Sequence, residues 1–289
     1  MKLLLLGANG QVGWELQRAL APLGEIVSLG RHELDLVNQQ AIRQTVCAIR
    51  PNLIINAAAY TNVDKAEKEE DLAMAINGIA PGVLAEESAR IDASLVHYST
   101  DYIFDGKKRA PYTEQDVPNP LNVYGKTKLA GEEAIRQVGI PHLILRTGWI
   151  YGLRGKNFLL TMQQLASERD ELAIVSDQYG SPTWCRMIAE ATAQLIAREP
   201  FKTSGIDGVY HLTAAGETTW FGFAEAIFKL SSGVKSIKPK IRAITTSDYP
   251  TPAIRPPYTV LDNNRIQDNH AILLPDWYEQ LKLVFGRGC

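Results

Sequence analysis

The chain has 289 residues, with 30 Lys and Arg against 32 Asp and Glu, so its formal net charge is −2 at pH 7. This balance argues against a protein that binds nucleic acid through bulk phosphate neutralisation. Hydrophobic residues make up 45% and charged residues 21%, which excludes a disordered chain. No apolar run reaches the roughly 20 residues that span a bilayer, so we expect no membrane role.

Short apolar runs alternate with amphipathic stretches over the first 150 residues. Continuous apolar runs predict strands at 2–6, 26–29, 53–56, 94–99 and 142–147. Helical periodicity predicts helices at 11–23, 39–50, 67–90 and 123–138, the third broken near Asn77 or Pro81. Apolar strands separated by helices indicate a parallel sheet covered on both faces. We therefore expect an α/β fold, a doubly wound (Rossmann-like) parallel sheet, in a dinucleotide-binding domain of residues 1–150.

The pattern is less regular after residue 150. Helices are predicted at 157–169, 186–197, 220–230 and 276–285, and strands at 172–175, 209–212 and 241–244. Residues 249–258 are proline-rich and must be extended. We expect a smaller mixed α/β C-terminal substrate domain at 151–289, with some elements returning to the first sheet. Trp220, Phe221 and Phe223 begin one helix, and we expect such aromatic residues in the core rather than at a ligand.

A glycine-rich turn directly follows the first predicted strand and opens the first helix. Its three glycines are Gly7, Gly10 and Gly13. In dinucleotide-binding turns, the first glycine permits the tight turn, the second lets the backbone approach the pyrophosphate, and the third allows close helix–strand packing. The helix N-terminus then presents N–H groups and a partial positive charge to the phosphates. The context predicts a bound dinucleotide rather than a purely structural turn.

The residue after the second strand favours NADPH, with NADH possible. An acidic residue there would hold the ribose 2′-hydroxyl of NADH, whereas an arginine accommodates a 2′-phosphate. The chain has Arg31 at this place and no carboxylate before Glu33. The alternative is a solvent-exposed arginine in a loop. Residues of the loops after the second and third strands would also border the cofactor: Asp35, Leu36, Ala57, Ala58 and Ala59.

A phenol and an ammonium group lie four residues apart at the start of a predicted helix. Tyr124 and Lys128 therefore share a helix face. A phenol with a pKa near 10 donates protons poorly at neutral pH unless a nearby cation lowers that pKa. Ser99 and Thr100 end the fourth strand, where a doubly wound sheet presents groups to ligands. A hydroxyl there either hydrogen-bonds a substrate carbonyl or caps a turn.

This order of motifs resembles the extended short-chain dehydrogenase/reductase superfamily, whose catalytic trio is Ser/Thr, Tyr and Lys. Within it, the chain resembles the dTDP-4-dehydrorhamnose reductase family, in the segments GANGQVGWEL, NAAAYTNVDKAE, STDYIFDG, NVYGKTKLAGE and LRTGWIYG. The likeness continues in DQYGSPT, GVYHLT, GETTW and YPTPAIRP, so it covers essentially the whole chain. The resemblance implies that NAD(P)H reduces the C4 ketone of dTDP-6-deoxy-L-lyxo-4-hexulose to give dTDP-L-rhamnose, for surface polysaccharides such as lipopolysaccharide O-antigen.

The resemblance also implies roles for individual residues. Tyr124 would be the proton donor, Lys128 would tune it and bind the nicotinamide ribose, and Thr100 would hydrogen-bond the sugar carbonyl. The cofactor would be lined by Gly10, Gln11, Val12, Arg31, Asp35, Leu36, Ala59, Tyr60, Thr61 and Tyr98. The sugar nucleotide would contact Thr100, Asp101 and Trp149, with Asn157 and Arg255 as further candidates. Trp149 could instead be a buried aromatic that closes its loop, and Arg255 an anchor of the proline-rich segment.

Metal chemistry is not indicated. The three cysteines, Cys47, Cys185 and Cys289, form no metal-ligand spacing and predict reduced thiols in a cytoplasmic protein. Some members of the family are Mg²⁺-bridged dimers, and Glu15 fits the first carboxylate of that bridge. Arg186 falls where the second carboxylate is expected, and its charge should repel the metal. We therefore expect no bridge, and the chain is a monomer or a homodimer.

Two other functions stay open at this point. One is a reductase for another nucleotide-6-deoxysugar, because pocket shape rather than motif decides which face of the sugar is reduced. The other is a non-catalytic regulatory nucleotide-binding subunit of the same fold. The intact Thr100, Tyr124 and Lys128 disfavour it, because a binding protein needs no proton donor. The charged run at 64–71 is interpreted as a solvated helix face.

Overall fold

A computed structural model describes residues 1–198, 208–231 and 239–286. The strands are β1 (Lys2–Leu6), β2 (Glu25–Leu29), β3 (Leu53–Asn56), β4 (Ser94–Thr100), β5 (His142–Thr147), β6 (Ile150–Tyr151), β7 (Glu171–Val175), β8 (Tyr179–Gly180), β9 (Thr183–Trp184), β10 (Gly208–His211), β11 (Thr218–Thr219) and β12 (Lys240–Ile244). The α-helices are α1 (Gln11–Ala19), α2 (Gln39–Ile49), α3 (Val63–Ala66), α4 (Glu70–Met74), α5 (Ala80–Ile91), α6 (Val123–Val138), α7 (Phe158–Glu168), α8 (Cys185–Arg198), α9 (Trp220–Ser231), α10 (Asn264–His270) and α11 (Trp277–Val284).

A six-stranded sheet forms the centre of the molecule, in the order β10-β5-β4-β3-β1-β2. Every neighbouring pair is parallel. The inner strands are apolar along most of their length because both faces are covered. The strand order reverses between β1 and β3, the place where doubly wound sheets bind ligands. The predicted fold class is confirmed.

Side chains of alternate strand residues pack into separate hydrophobic cores on the two faces of the sheet. In β1, Leu3 and Leu5 pack into a core with α1 and α8, whereas Leu4 and Leu6 pack into one with α2 and α5. This alternation is the period-2 geometry of a strand. None of the helices within the described ranges has the length and apolar character needed to cross a bilayer.

Two of the long helices predicted in the first half of the chain are shorter in the structure. The helix expected at 11–23 ends at Ala19, and a 3-10 turn follows at Ala21–Leu23, because Pro22 cannot donate the next helical hydrogen bond. The helix expected at 67–90 is divided into α4 and α5 by a π-helical turn at Ala75–Ile79, which contains Asn77. The predicted break near Asn77 is thus confirmed.

The later elements form small sheets around the carboxyl edge of the main one. β12 pairs with β7, β11 with β8, and β9 with β6. The strand expected at 209–212 is β10, which joins the main sheet beside β5, as expected for a returning element. Because α8 also packs on α1, the division at residue 150 stays a prediction.

Candidate active site

A cavity of about 1060 Å³ opens beyond the carboxyl ends of the central strands. Its volume is at the upper end of the roughly 300–1,000 Å³ range of small-molecule pockets, which suits a large ligand such as a dinucleotide. Sixteen of the predicted residues line it: Gly7, Gly10, Gln11, Val12, Arg31, Asp35, Leu36, Ala57, Ala58, Ala59, Tyr60, Thr61, Thr100, Asp101, Tyr124 and Trp149. Five other predicted residues are not among its lining residues, namely Gly13, Tyr98, Lys128, Asn157 and Arg255.

The turn between β1 and α1 has the geometry that a pyrophosphate requires. Gly7 has φ +79°, and a Cβ there would lie 2.6 Å from the Ala58 backbone nitrogen. A Cβ on Gly13 would lie 2.1 Å from the Gly7 carbonyl oxygen, so α1 could not approach β1. No side chain caps α1 at Gly10, which leaves the helix N-terminus open toward the cavity. These residues fit a dinucleotide, as predicted.

The loop after β2 contains an exposed arginine and a glutamate that is hydrogen-bonded to the backbone. Arg31 is exposed and lines the cavity. Glu33, the nearest acidic residue, accepts a hydrogen bond from the Gly30 backbone N–H at 2.8 Å. A carboxylate held in the turn is poorly placed to bind a ribose, so the geometry favours a 2′-phosphate on Arg31.

Thr100 and Tyr124 meet on one wall of the cavity, at the carboxyl end of β4 and the first turn of α6. Asn122 caps α6 by accepting from the Gly125 N–H at 2.8 Å, which places Tyr124 at the open end of the helix. Burial raises the pKa of Tyr124 to about 12, against the opposing effect of a hydrogen bond with Thr100. The direction is the reverse of the one expected from Lys128 alone.

Asp101 supplies a buried carboxyl beside this pair. It accepts a hydrogen bond from the Thr100 hydroxyl at 3.0 Å and also bonds with Thr259. Burial nevertheless raises its pKa to about 6. The wall near Tyr124 therefore contains a carboxyl group that can exchange a proton near neutral pH.

Lys128 lies behind the cavity wall, at 1% exposure. Its ammonium group donates to the Tyr98 carbonyl oxygen at 2.5 Å and lies 3.1 Å from Nε2 of His97. Burial lowers its pKa to about 8, although the carboxylate of Glu132 one turn later acts in the opposite direction. His97 was not predicted as a site residue; its position two residues before Ser99, on a ligand-facing strand end, was the available signal.

Three other predicted residues take structural roles in this chain. The Tyr98 hydroxyl points into the core and lies 2.7 Å from Thr192 Oγ1. Asn157 caps α7 and donates to Gln11 Oε1 at 2.8 Å, so it connects its loop to the phosphate turn. Arg255 forms an ion pair with Asp64 at 2.8 Å and bonds within residues 251–253, which matches the alternative of an anchor for the proline-rich segment.

Two stacked indoles form part of the cavity wall. Trp149 and Trp220 have ring centroids 3.5 Å apart and an interplanar angle of 2°. Trp149 has φ 49°, a left-handed conformation that turns the chain after β5. Trp220 packs against the hydrophobic core, as expected, but it also lines the cavity. Phe223, by contrast, is fully buried as expected. Trp220 was missed because the first residue of a helix can face either side.

The bridging metal site does not fit this chain. Arg186 stands on α8 and pairs with Glu190 at 2.8 Å, and this hydrogen bond, with a smaller contribution from the charge of Glu15, raises the Arg186 pKa. A guanidinium beside Glu15 replaces the second carboxylate that a bridge would need. No group of three or more His, Cys, Asp or Glu side chains suited to a metal is found in the described ranges. Cys47 and Cys185 are free thiols, and Cys289 lies outside those ranges.

Comparisons with known proteins agree with this geometry. The family model described as the RmlD substrate binding domain matches residues 1–288. A dTDP-4-dehydrorhamnose reductase of Burkholderia thailandensis is 48% identical over 284 residues, covering 96% of this chain and 95% of that protein. The reductase structure from Clostridium acetobutylicum has a TM-score of 0.92 at 38% identity and covers 99% of both chains. The Bacillus anthracis reductase, solved in complex with NADP, has a TM-score of 0.91 at 38% identity and covers 98% of both.

Proposed function

The chain belongs to the dTDP-4-dehydrorhamnose reductase family, and on that premise we propose that it reduces the C4 ketone of dTDP-6-deoxy-L-lyxo-4-hexulose with NADPH, giving dTDP-L-rhamnose. One observation carries the proposal: Thr100 and Tyr124 line the same cavity as the phosphate turn of Gly7 and Gly10. When two hydroxyl groups and a dinucleotide site share one cavity, a proton donor and a hydride donor can reach the same carbonyl group of a substrate.

The bound cofactor supplies the hydride, and the protein supplies the proton and the orientation. In this proposal Thr100 hydrogen-bonds the keto oxygen, and its location at the end of β4 on the cavity wall supports that role. Tyr124 donates its proton to the same oxygen as negative charge develops there. A phenol whose pKa is raised to about 12 stays protonated at neutral pH, and this is the form that reduction requires.

Lys128 holds a positive charge below this pair. It shares the inner face of α6 with Tyr124, one turn away. An ammonium there stabilises the phenolate that remains after proton transfer, by Coulomb attraction in a low-dielectric setting. Its pKa of about 8 means that the charge is present at neutral pH and is lost as the pH rises above that value.

The remaining site residues are assigned to NADPH or to the sugar nucleotide. We assign the 2′-phosphate of NADPH to Arg31 and the sugar nucleotide to the wall formed by Asp101, Trp149 and Trp220. Because NADPH and nucleotide sugars are pools of the cytoplasm, we place the reaction there. The chain acts as a monomer or a homodimer in this proposal.

The test measures NADPH consumption with the keto-sugar generated enzymatically from its dTDP-sugar precursor. The wild-type protein should oxidise NADPH only when this substrate is present, and product analysis should give dTDP-L-rhamnose. Tyr124→Phe should lose about 10²–10⁴-fold in kcat while still binding NADPH. The matched control is Tyr112→Phe, which removes a buried phenol that bonds to Asp105 outside the cavity. Equal turnover in Tyr124→Phe and Tyr112→Phe would refute the catalytic role.

A further inference from the structure

Three basic side chains line the cavity within the described ranges, and they differ in how far their charge is compensated. They belong to Arg31, Lys65 and Lys156. Arg31 is assigned to the 2′-phosphate of NADPH, and the Lys65 ammonium lies 3.5 Å from the carboxylate of Glu69. Lys156 is exposed, and its ammonium group has neither an ion pair nor a hydrogen bond in the part of the chain that the structure describes. Lys156 therefore contributes an uncompensated positive charge to the cavity wall.

The loop between β6 and α7, which carries Lys156, is anchored on the first turn of α1. The Asn157 side-chain amide donates to Gln11 Oε1 at 2.8 Å. The loop backbone also passes close to that side chain, since a Cβ on Gly155 would lie 3.5 Å from Gln11 Cγ. The Arg154 guanidinium lies 3.4 Å from the centroid of the Trp14 ring, a cation–π contact. Gln11 and Trp14 both belong to the start of α1, so the loop crosses the helix end that follows the phosphate turn.

These anchors place Lys156 beside the phosphate turn. Lys156 stands between Gly155 and Asn157, the two residues that contact Gln11. Its side chain lines the same cavity as Gly10, where no side chain caps α1. The open helix end offers backbone N–H groups to a phosphate, and a lysine ammonium is a compact charge on a flexible stem that binds phosphate well.

We propose that Lys156 is a further cofactor-binding residue, whose ammonium group contacts the pyrophosphate held at the N-terminus of α1. The inference deepens the proposed function and rests on its NADPH site. Both phosphates of the pyrophosphate are negatively charged, whereas a helix N-terminus offers the equivalent of about half a positive charge. A full charge from Lys156 therefore neutralises more of the pyrophosphate than the helix does.

The proposal gives Lys156 and Arg31 different effects on the two dinucleotides. NADPH and NADH share the pyrophosphate and differ only in the 2′-phosphate. Lys156 should therefore contribute equally to the binding of both, whereas Arg31 should contribute to the binding of NADPH alone. Such a difference separates a contact with the pyrophosphate from a general attraction of the more highly charged cofactor.

The experiment compares Lys156→Met with Lys156→Arg. The Kd values for NADPH and NADH are measured by fluorescence titration without any keto-sugar. Lys156→Met should weaken the binding of both dinucleotides by about threefold to tenfold, as expected for a partly exposed charge contact. Lys156→Arg should stay within about twofold of the wild type, because a guanidinium also binds phosphate oxygens.

The salt dependence of binding separates a charge contact from a structural role of the loop. Dissolved ions screen the attraction between exposed charges. The difference in Kd between wild type and Lys156→Met should therefore be smaller at about 0.5 M salt than at about 0.05 M salt. A distorted loop would instead lower the affinity equally at both salt concentrations, and Lys156→Arg would not restore it. Either of these results would overturn the proposal.

The sugar nucleotide also carries a diphosphate, and it is assigned to the same cavity. Titration with dTDP distinguishes the two ligands. The affinity for dTDP should change by no more than about twofold in Lys156→Met, because the anchors of the loop lie on the helix that holds the cofactor. A loss of affinity confined to dTDP would overturn the assignment to the cofactor.

The matched control is Lys240→Met, which removes an exposed lysine of β12 that does not line the cavity. It should leave both dinucleotide affinities unchanged. Equal NADPH affinities in wild type and Lys156→Met would overturn the proposal, as would a loss for NADPH without a loss for NADH. If the wild type binds both dinucleotides but reduces no keto-sugar, the proposed function is wrong and the Lys156 result still stands. Failure of the wild type to bind either dinucleotide would overturn both.

Discussion

Replacing Asp101 by asparagine should change how the stability of the protein depends on pH. The Asp101 side chain is buried beside the proposed proton donor, and burial raises its pKa from 3.8 to about 6. Thr259 and Thr100 donate hydrogen bonds that lower the pKa but do not offset the burial. The folded protein therefore binds this proton more tightly than the unfolded chain does, and ionising Asp101 costs folding free energy.

The size and the pH window of the effect follow from that shift. A shift of about two pKa units corresponds to about 3 kcal/mol. The stability that the neutral carboxyl confers is present below about pH 4 and is lost as the pH rises through the folded-state pKa of about 6. Asp101→Asn cannot ionise, so its free energy of unfolding should gain about 3 kcal/mol relative to wild type between about pH 4 and pH 8.

Denaturant unfolding at several pH values measures this difference. Any cost of placing an amide NH₂ group against the Thr100 hydroxyl is the same at every pH, so it cancels when the two proteins are compared across pH. Asp105→Asn is the control of opposite sign, because a backbone hydrogen bond from Lys107 lowers the Asp105 pKa, and this variant should lose relative stability as the pH rises. Parallel pH profiles of wild type and Asp101→Asn would refute the reasoning.

Three further predictions concern the cofactor, the core and the sugar wall. Arg31→Ala should weaken NADPH binding about tenfold and change NADH binding by no more than about twofold, both measured by fluorescence titration. The control is Arg136→Ala, which alters a distant, exposed arginine. Equal losses of affinity for both cofactors would contradict the 2′-phosphate assignment. Glu132→Gln should lower the free energy of unfolding, measured with denaturant, by about 3–5 kcal/mol, because it removes the charge partner of the buried Arg146 guanidinium. A loss below about 1 kcal/mol would argue that water reaches the pair. Trp220→Ala should raise KM for the keto-sugar about threefold to tenfold without changing NADPH affinity, because Trp149 loses its stacking partner. An unchanged KM would show that neither indole belongs to the proposed sugar site.

The first half of the fold was predictable because its signals are local. Residues 2–6, 53–56 and 142–147 are apolar runs buried on both faces, and the structure has strands with those bounds. The helix at Val123–Val138 also has its predicted bounds, and in the structure Asn122 is its N-cap and Gly139 its left-handed C-cap. The phosphate turn was equally local, because its glycines are required by contacts within one strand, one turn and one helix.

The C-terminal half was predicted less well because its short strands depend on distant partners. β6, β8, β9 and β11 each have two residues, too few for a periodic pattern. Each exists because another segment lies beside it, as when Thr218 and Thr219 pair with Gly180 and Tyr179. The stacking of Trp149 on Trp220 depends on the same long-range packing, and so the sequence predicted only Trp149 of this part of the cavity wall.

The charged run at 64–71 was interpreted as a solvated helix face, and one of its residues, Asp64, has a further role. Most of the run is a surface feature, yet Asp64 pairs with Arg255, 191 residues away, and accepts a further hydrogen bond from the Ala253 N–H. The Arg255 guanidinium holds the pKa of this carboxyl below its usual value. The pair fixes the proline-rich segment beside residues 62, 63 and 65 of the cavity wall. A contact between segments 191 residues apart leaves no periodic signal in either segment, so the sequence could not single out Asp64 within the charged run.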